Sequence, residues 1–189
     1  MKTVRGFSLV ELMVSIAIFS ILAALAAPSF ATWIVSAKIR TTAESIQAGL
    51  QLARAEAVKR NTGVRFQLMD STDNSCGLSI NGPHWVVSID EAQSQCGTTK
   101  SDTAPYIIQL RNGAEGSGNN TLIAADQPSV NFNGMGRLSS ASSPMTINIS
   151  SSTTGLGCGT VRCLRIKVIG AGQIRMCDPA LPATDTQGC

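Results

Sequence analysis

The most constraining feature of this sequence is an apolar run near its start. Residues 7–27 read FSLVELMVSIAIFSILAALAA, with Glu11 as their only charge. A helix of this length can cross the roughly 30 Å hydrocarbon layer of a bilayer. Because Lys2 and Arg5 precede the run, the positive-inside tendency places its start in the cytoplasm and everything after Pro28 on the other side. We therefore expect a single-pass protein whose head lies outside the cytoplasm.

The start of the run differs from an ordinary signal peptide. Such a peptide has a shorter apolar core that ends in a small-residue cleavage site, which Ala24–Ala27 could imitate. Here a glycine, Gly6, separates the basic leader from the first apolar residue, and a carboxylate follows within five residues. A carboxylate inside lipid costs a few kcal/mol on insertion scales, so Glu11 is predicted to be functional.

The segment Gly6-Phe7-Ser8-Leu9-Val10-Glu11 resembles the class III signal of type IV prepilins and type II secretion pseudopilins. This resemblance implies that a prepilin peptidase cleaves between Gly6 and Phe7 and that Phe7 becomes N-methylated. Pro28 matches the proline at which the family's N-terminal helix is kinked or melted. The implied location is the bacterial inner membrane with a periplasmic head, and afterwards a pilus at the cell surface.

Glu11 has two interpretations. During assembly, the free amine of Phe7 on a neighbouring subunit is a suitable cation to neutralise the carboxylate in apolar surroundings, which would set the subunit register. Alternatively, Glu11 is a helix-end side chain that reaches headgroup water.

The helix is predicted to continue beyond Pro28 with one apolar face. The face consists of residues that alternate steps of four and three: Ile39, Ala43, Ile46, Leu50, Ala53 and Ala57. A helix from Phe7 to Arg60 would span about 80 Å. We divide the chain into a cleaved leader (1–6), a membrane or filament-core half of the helix (7–27) and a periplasmic head (28–189). The head comprises the amphipathic half of the helix (about 28–60) and a β domain (about 61–189).

After the helix, short apolar or alternating runs are separated by turn residues, which predicts a mostly antiparallel β domain. The fold class is therefore α+β, with the long N-terminal helix packed on the sheet as in the type IV pilin fold. The predicted strands are Val64–Met69, Leu78–Ile80, Trp85–Ile89, Ile107–Leu110, Val130–Phe132, Thr146–Ile149, Leu164–Ile169 and Gln173–Met176.

All six cysteines lie beyond the N-terminal helix, without the close CxxC pair of redox or zinc sites. In an exported domain they are predicted to form disulfides. Cys76 and Cys96 bracket a predicted hairpin and are expected to pair. The other four leave two arrangements open: Cys163–Cys177 with Cys158–Cys189, or Cys158–Cys163 with Cys177–Cys189.

Two further segments indicate which group of type IV pilin-like proteins the chain resembles. They are Leu52-Ala53-Arg54-Ala55-Glu56-Ala57-Val58 near the helix end and Phe132-Asn133-Gly134-Met135-Gly136-Arg137 in the middle of the chain. With a C-terminal strand pair, they resemble the GspH/FimT group of minor pilins and pseudopilins. The group implies a low-abundance subunit that helps initiate, cap or functionalise a filament, with other minor and major pilins as partners.

The C-terminal strand pair carries a basic cluster formed by Arg162, Arg165, Lys167 and Arg175. If the turn centres near Gly170, Arg175 is expected to lie opposite Arg165. The DNA-uptake members of the FimT group carry a Gly-Arg-x-Arg motif here, whereas this chain has Gly172-Gln173-Ile174-Arg175. The cluster is either a hydrated strand face or a small phosphate-binding patch for DNA.

The net charge of the mature chain and the motifs in its sequence limit which other classes of function it can have. Without Lys2 and Arg5, thirteen basic residues face twelve acidic ones, so the mature chain has no global nucleic-acid-binding charge. His84 is the only histidine and no nucleophile or phosphate-loop motif is present. We expect a non-enzymatic minor pilin of a type IV pilus, without cofactor or metal. The alternatives are a DNA-binding minor pilin for natural transformation and a GspH-type pseudopilin of type II secretion.

Overall fold

The fold is built on one long helix, α1, which spans Leu9–Arg60 in a computed structural model. The structure describes residues 8–113, 121–140 and 142–189, and within the helix the side chains of residues 26–28 are excluded. Ser8 and Glu11 form a capping box that satisfies backbone N–H groups at the helix start. Asn61 ends the helix in the left-handed conformation, with a φ of 49°.

The helix is bent where the sequence places Pro28. Leu9–Leu25 and Ser29–Arg60 meet at an angle of 45°. Neither segment of the described chain is by itself long and apolar enough to span a membrane, whereas the bent pair satisfies both criteria together. Proline is the usual cause of such a bend, because it removes an intrahelical hydrogen bond and clashes with the preceding turn.

Eight strands follow the helix in the described part of the chain and form two antiparallel four-stranded sheets. The first sheet has the order β3-β2-β1-β5 and the second the order β4-β6-β7-β8. The strands are β1 (Val64–Met69), β2 (His84–Ser88), β3 (Ile107–Arg111), β4 (Thr121–Ala125), β5 (Ser129–Phe132), β6 (Met145–Ser151), β7 (Leu164–Val168) and β8 (Ile174–Cys177).

The main core lies between the second half of α1 and both sheets. The predicted apolar stripe is completely buried, from Ile39 through Leu50 to Ala57. It packs on alternate residues of the two sheets, for example Phe66 of β1 and Ile166 of β7. The expected α+β arrangement of a helix on antiparallel strands is therefore confirmed.

A second, smaller apolar cluster covers the outer side of the first sheet. It contains Met69, Cys76, Val86, Ala92, Cys96 and Ile107. The buried Gln67 amide donates to Ser88 Oγ at 2.8 Å and accepts from the Ala92 N–H at 3.2 Å. These bonds satisfy a buried polar group whose unpaired burial would cost free energy.

One strand prediction was wrong, and one strand was missed. Leu78–Ile80 is not a strand, because only Leu78 forms a bridge, with Met69, before the chain turns toward Gly82. Thr121–Ala125 is a strand that was not predicted, and it pairs with β6 at the edge of the second sheet. Its exposed positions are occupied by the apolar residues Leu122 and Ala124, so the sequence lacks the polar–apolar alternation that is typical of a half-buried strand.

Candidate functional site

The N-terminal site centres on Glu11. Ser8 donates its backbone N–H to Glu11 Oε2 at 3.0 Å, and the Glu11 N–H donates to Ser8 Oγ at 3.2 Å. The carboxylate is therefore turned toward the start of its own helix, where the helix dipole favours a negative charge. The predicted cleavage site at Gly6 and Phe7 lies outside the described residues.

The helix half that follows Glu11 has no covering layer within the described chain. Every large apolar side chain that the structure describes between Leu9 and Leu25 is more than half exposed, up to 74% for Leu9. Such a surface is unstable in water, since burial contributes roughly 25 cal/mol per Å² of apolar area. This segment requires lipid or neighbouring protein around it. Pro28 lies in the bend that separates it from the head-bound half.

The basic cluster lies on the β7–β8 hairpin, but its register differs from the expectation. Arg175 pairs with Lys167, and Arg165 pairs with Cys177. The prediction that Arg175 lies opposite Arg165 was therefore wrong, because the turn centres on residue 171 and the connection from Val168 to its partner Ile174 is two residues longer than expected. Arg165 and Lys167 alternate with the buried Leu164, Ile166 and Val168, so the basic residues occupy the face away from the core.

A C-terminal segment, residues 178–189 (the tail), contacts this basic face. Arg175 Nη2 donates to the backbone oxygens of Thr186 and Gly188 at 3.2 and 3.0 Å. Lys167 Nζ donates to the Cys189 oxygen at 3.0 Å. Backbone oxygens of the tail thus occupy hydrogen-bonding positions that phosphate oxygens of an external polyanion would take.

The other two basic residues also have partners within the chain. Arg162 Nε forms an ion pair with Asp178 Oδ2 at 2.9 Å, and Asp178 is buried. Arg165 Nε donates to Asn148 Oδ1 at 2.7 Å. A ligand that binds this cluster would have to displace or share these contacts.

Three disulfides hold the loops around this head. Cys76 is bonded to Cys96, Cys158 to Cys163 and Cys177 to Cys189. Of the two arrangements that the sequence left open, the structure has the second. The bond between Cys177 and Cys189 ties the end of the tail to β8, which keeps the tail oxygens beside Lys167 and Arg175.

A groove of about 580 Å³ runs between α1 and the β7–β8 hairpin with its tail. Ion pairs stand on its two walls, Arg40 with Glu44 at 2.7 Å and Arg162 with Asp178 at 2.9 Å. Apolar surface between them comes from Ala37, Leu164 and Met176, and Trp33 lies at the end of the helix wall nearest the exposed half of α1. Sequence reasoning missed this groove, since it depends on where the tail lies.

The two segments that narrowed the family resemblance form a structural joint. Arg54 Nε of the helix donates to the Gly136 oxygen at 3.1 Å. Gly172, in the β7–β8 turn, has a φ of 79°, and a Cβ there would lie 1.9 Å from the same oxygen. Only glycine permits that approach. The segment after β5 is thereby fixed between the helix end and the second sheet.

Among residues 8–113, 121–140 and 142–189, no group of three or more histidine, cysteine, aspartate or glutamate side chains is placed to hold a metal ion.

Two family models match the chain. The model described as "Type II transport protein GspH" matches residues 42–172, and the prokaryotic N-terminal methylation motif matches residues 1–27. The first match covers more than half of the chain and includes both segments of the joint. A sequence search of curated proteins found no significant match.

Three solved structures are similar to this chain. The type IV minor pilin FimU of Pseudomonas aeruginosa is 17% identical over 78% of this chain and 90% of its own, with a TM-score of 0.50. GspH of E. coli is 17% identical over 82% of this chain and 94% of its own, with a TM-score of 0.43. The minor pseudopilin EpsH from the type 2 secretion system of Vibrio cholerae is 16% identical over 77% and 99%, with a TM-score of 0.45. At this identity, the likeness to FimU shows the fold alone.

Proposed function

The chain belongs to the GspH family of minor pilins and pseudopilins, and on that premise we propose that it is a minor pilin of a type IV pilus that helps initiate or cap assembly near the tip. It is made with a leader, residues 1–6, that a prepilin peptidase removes before Phe7 is methylated. The protein acts as a structural subunit and not as a catalyst. The position near the tip follows from the family resemblance.

One observation carries the assembly role. The exposed apolar half of α1, Leu9–Leu25, is continuous with a second half that forms the core of the head. The first half can exchange lipid for the same half of neighbouring subunits without any loss of buried surface in the head. A helix of this kind supports a protein that moves from a membrane into a filament.

Glu11 sets the register in this proposal. Its carboxylate already faces the start of the helix through the contacts with Ser8. The amine of Phe7 on a neighbouring subunit would approach at that end and replace the cap as the partner of the carboxylate. A pair formed in apolar surroundings has a strict geometric requirement, because a displaced partner leaves a buried charge.

A second candidate is a pseudopilin of a type II secretion system, which the description of the matching family model favours. DNA binding is less well supported. The tail contacts of Lys167 and Arg175 and the ion pair of Arg162 weigh against a free phosphate-binding face. Absence of a salt-dependent gel shift with the purified full-length chain in detergent would remove the DNA hypothesis.

Deletion of the gene separates these functions when surface piliation, natural transformation and exoprotein secretion are scored in parallel. The proposal predicts that piliation falls and that secretion is normal. Loss of secretion with normal piliation would contradict it in favour of the pseudopilin. Loss of transformation alone would favour the DNA receptor.

Complementation of the deletion tests the role of Glu11. Glu11→Val is expected to accumulate in the inner membrane and to be absent from sheared filaments. Glu91→Val is a matched control, because Glu91 is an exposed head residue whose weak ion pair with Arg65 measures 3.9 Å. Normal incorporation of Glu11→Val would overturn the pairing hypothesis.

A further inference from the structure

An aromatic pair lies between the exposed half of α1 and the head. The rings of Phe30 and Trp33 stack with centroids 5.9 Å apart and an interplanar angle of 23°. The two residues are 61% and 65% exposed. Among the helix side chains that the structure describes, the first one buried by the head is Val35, so the pair precedes the point at which the head begins to cover the helix.

The uncharged part of the helix is longer than a hydrocarbon layer. No charged residue occurs between Glu11 and Lys38. The 26 intervening residues would measure about 39 Å as a straight helix, against a hydrocarbon thickness of about 30 Å. If the first segment lies along the bilayer normal, part of this uncharged stretch therefore lies outside the hydrocarbon.

The bend determines how deep the pair lies. After the break the axis is inclined by 45° to the first segment, so each residue advances only about 1.1 Å along the direction of that segment. If the hydrocarbon ends near residue 27, Phe30 lies about 3 Å and Trp33 about 6 Å beyond it. The headgroup region on each side of a bilayer is roughly 5–8 Å thick. Both rings then fall within the headgroup region.

We propose that Phe30 and Trp33 form an interfacial anchor that binds the headgroup–acyl boundary of the outer leaflet of the membrane before assembly. Indole rings are enriched at this depth, because an indole combines an apolar body with an N–H donor, and Phe30 stacks on the indole of Trp33. The anchor holds the head against the bilayer and orients the groove, in which Trp33 also takes part, next to the lipid. This inference rests on the proposed membrane-inserted precursor.

The depth of Trp33 in the bilayer can be measured by fluorescence, because the chain has two tryptophans and each can be replaced separately. Trp85 is buried in the head, where its Nε1 donates to Ser45 Oγ at 3.2 Å. Trp85→Phe leaves Trp33 as the only indole, and Trp33→Phe leaves Trp85 as the matched control. The full-length chain is reconstituted in phosphatidylethanolamine–phosphatidylglycerol vesicles in which the lipids carry bromine either near the headgroup end of the acyl chain or near its middle.

The anchor predicts that shallow bromines lower Trp33 emission about twofold, with weaker quenching by deep bromines. Trp33→Phe should show neither effect. If Trp85→Phe fails to fold, the difference between the unsubstituted chain and Trp33→Phe supplies the same signal. Emission from Trp33 that lipid bromines leave unchanged, with full access to acrylamide in water, would overturn the anchor.

Extraction with alkaline carbonate distinguishes this failure from failure of the proposed function. A chain that resists extraction and leaves Trp33 unquenched is membrane-inserted without the anchor, so the anchor alone is wrong. A chain that is extracted lacks the inserted state, and both proposals then fail. Deep bromines as the stronger quencher would place Trp33 inside the hydrocarbon, which also contradicts an interfacial position.

Discussion

The two halves of α1 have the same secondary structure and opposite surroundings. In Leu9–Leu25, apolar residues lie on all sides and the large ones that the structure describes are exposed. In Ser29–Arg60, apolar residues form one stripe, and Ile46 and Leu50 in that stripe are completely buried by the two sheets. The second half obtains its environment from its own chain, whereas the first half must obtain it from lipid or other subunits. Stability of the head and assembly of the filament are thus assigned to separate parts of one helix.

Matched truncations in the two halves give the largest expected contrast. Leu50→Ala should lower the free energy of unfolding of the head by about 2–5 kcal/mol, because it leaves a cavity in the main core. Leu22→Ala removes the same atoms from an exposed position and should change it by less than about 0.5 kcal/mol. Urea unfolding in detergent, followed by Trp85 fluorescence, measures both. Equal losses would show that the first half also packs on the head.

Removal of the disulfide between the tail and β8 tests whether the stability of the head depends on this covalent link. Cys177 and Cys189 are 12 residues apart, and loss of such a closed loop should cost about 3 kcal/mol in the chain-entropy model. The double variant Cys177→Ser/Cys189→Ser should unfold at lower urea concentration while its membrane insertion is unchanged. A midpoint equal to that of the unsubstituted chain would show that the tail is held by its hydrogen bonds alone.

A substitution at Gly49 tests how closely the second half of α1 approaches the first sheet. A Cβ at this position would lie 2.9 Å from Phe66 Cε2 and 3.0 Å from the Trp85 ring. Gly49→Ala gains about 1 kcal/mol in helix propensity, but overpacking typically costs about 1–3 kcal/mol. We expect a net loss of about 1 kcal/mol in thermal or urea unfolding. Ala48→Gly, at the adjacent exposed position, is the control and should lose a similar amount through propensity alone. A more stable Gly49→Ala would mean that the aromatic rings move away freely.

His84 gives the smallest effect, a pH dependence confined to the head. Burial lowers its pKa below the ordinary value of 6.5, although hydrogen bonding to Asn112 and the charge of Asp70 act in the opposite direction. Its Nδ1 accepts the Gly113 N–H at 3.1 Å, which a protonated ring cannot do. The unfolded chain therefore binds the proton more readily, so stability should fall as pH decreases through 6.5 toward the lower folded-state pKa.

The His84 effect is measured as the change in urea midpoint between pH 7 and pH 5. His84→Gln should remove most of that change, since it does not titrate. A pH dependence that is the same in His84→Gln would assign it to other groups, and a midpoint that rises on acidification would contradict the sign of the pKa shift.

Much of this contrast could be predicted from sequence because both helix halves have strong patterns. A run of 21 residues with one charge indicates a membrane environment, and a stripe with steps of three and four indicates burial on one side. The strand pair at the C-terminus could also be predicted, from the alternation of basic and apolar residues around Arg165 and Lys167. β4 was missed because Thr121–Ala125 shows no alternation of polar and apolar residue types, since its exposed positions carry Leu122 and Ala124.

The tail could not be placed from sequence for a physical reason. Its contacts with Lys167 and Arg175 use backbone oxygens of residues 186, 188 and 189. Every residue has a backbone oxygen that can accept such a bond, so no residue type in the sequence predicts the contact. The pairing of Cys177 with Cys189 would have located the tail, but the spacing of the last four cysteines was compatible with two arrangements. The groove and the position of the tail over the basic face both depend on the Cys177–Cys189 pairing, which the sequence left undecided.

In the proposed function, the first helix half is matured at Phe7 and buried by other subunits in a filament. Intact-mass and N-terminal analysis of the protein from sheared surface filaments tests it most directly. We expect a chain that lacks residues 1–6, begins with N-methylated Phe7 and co-purifies with other pilins. A chain cleaved after Ala27, or one that retains Met1 and is absent from filaments, would contradict it.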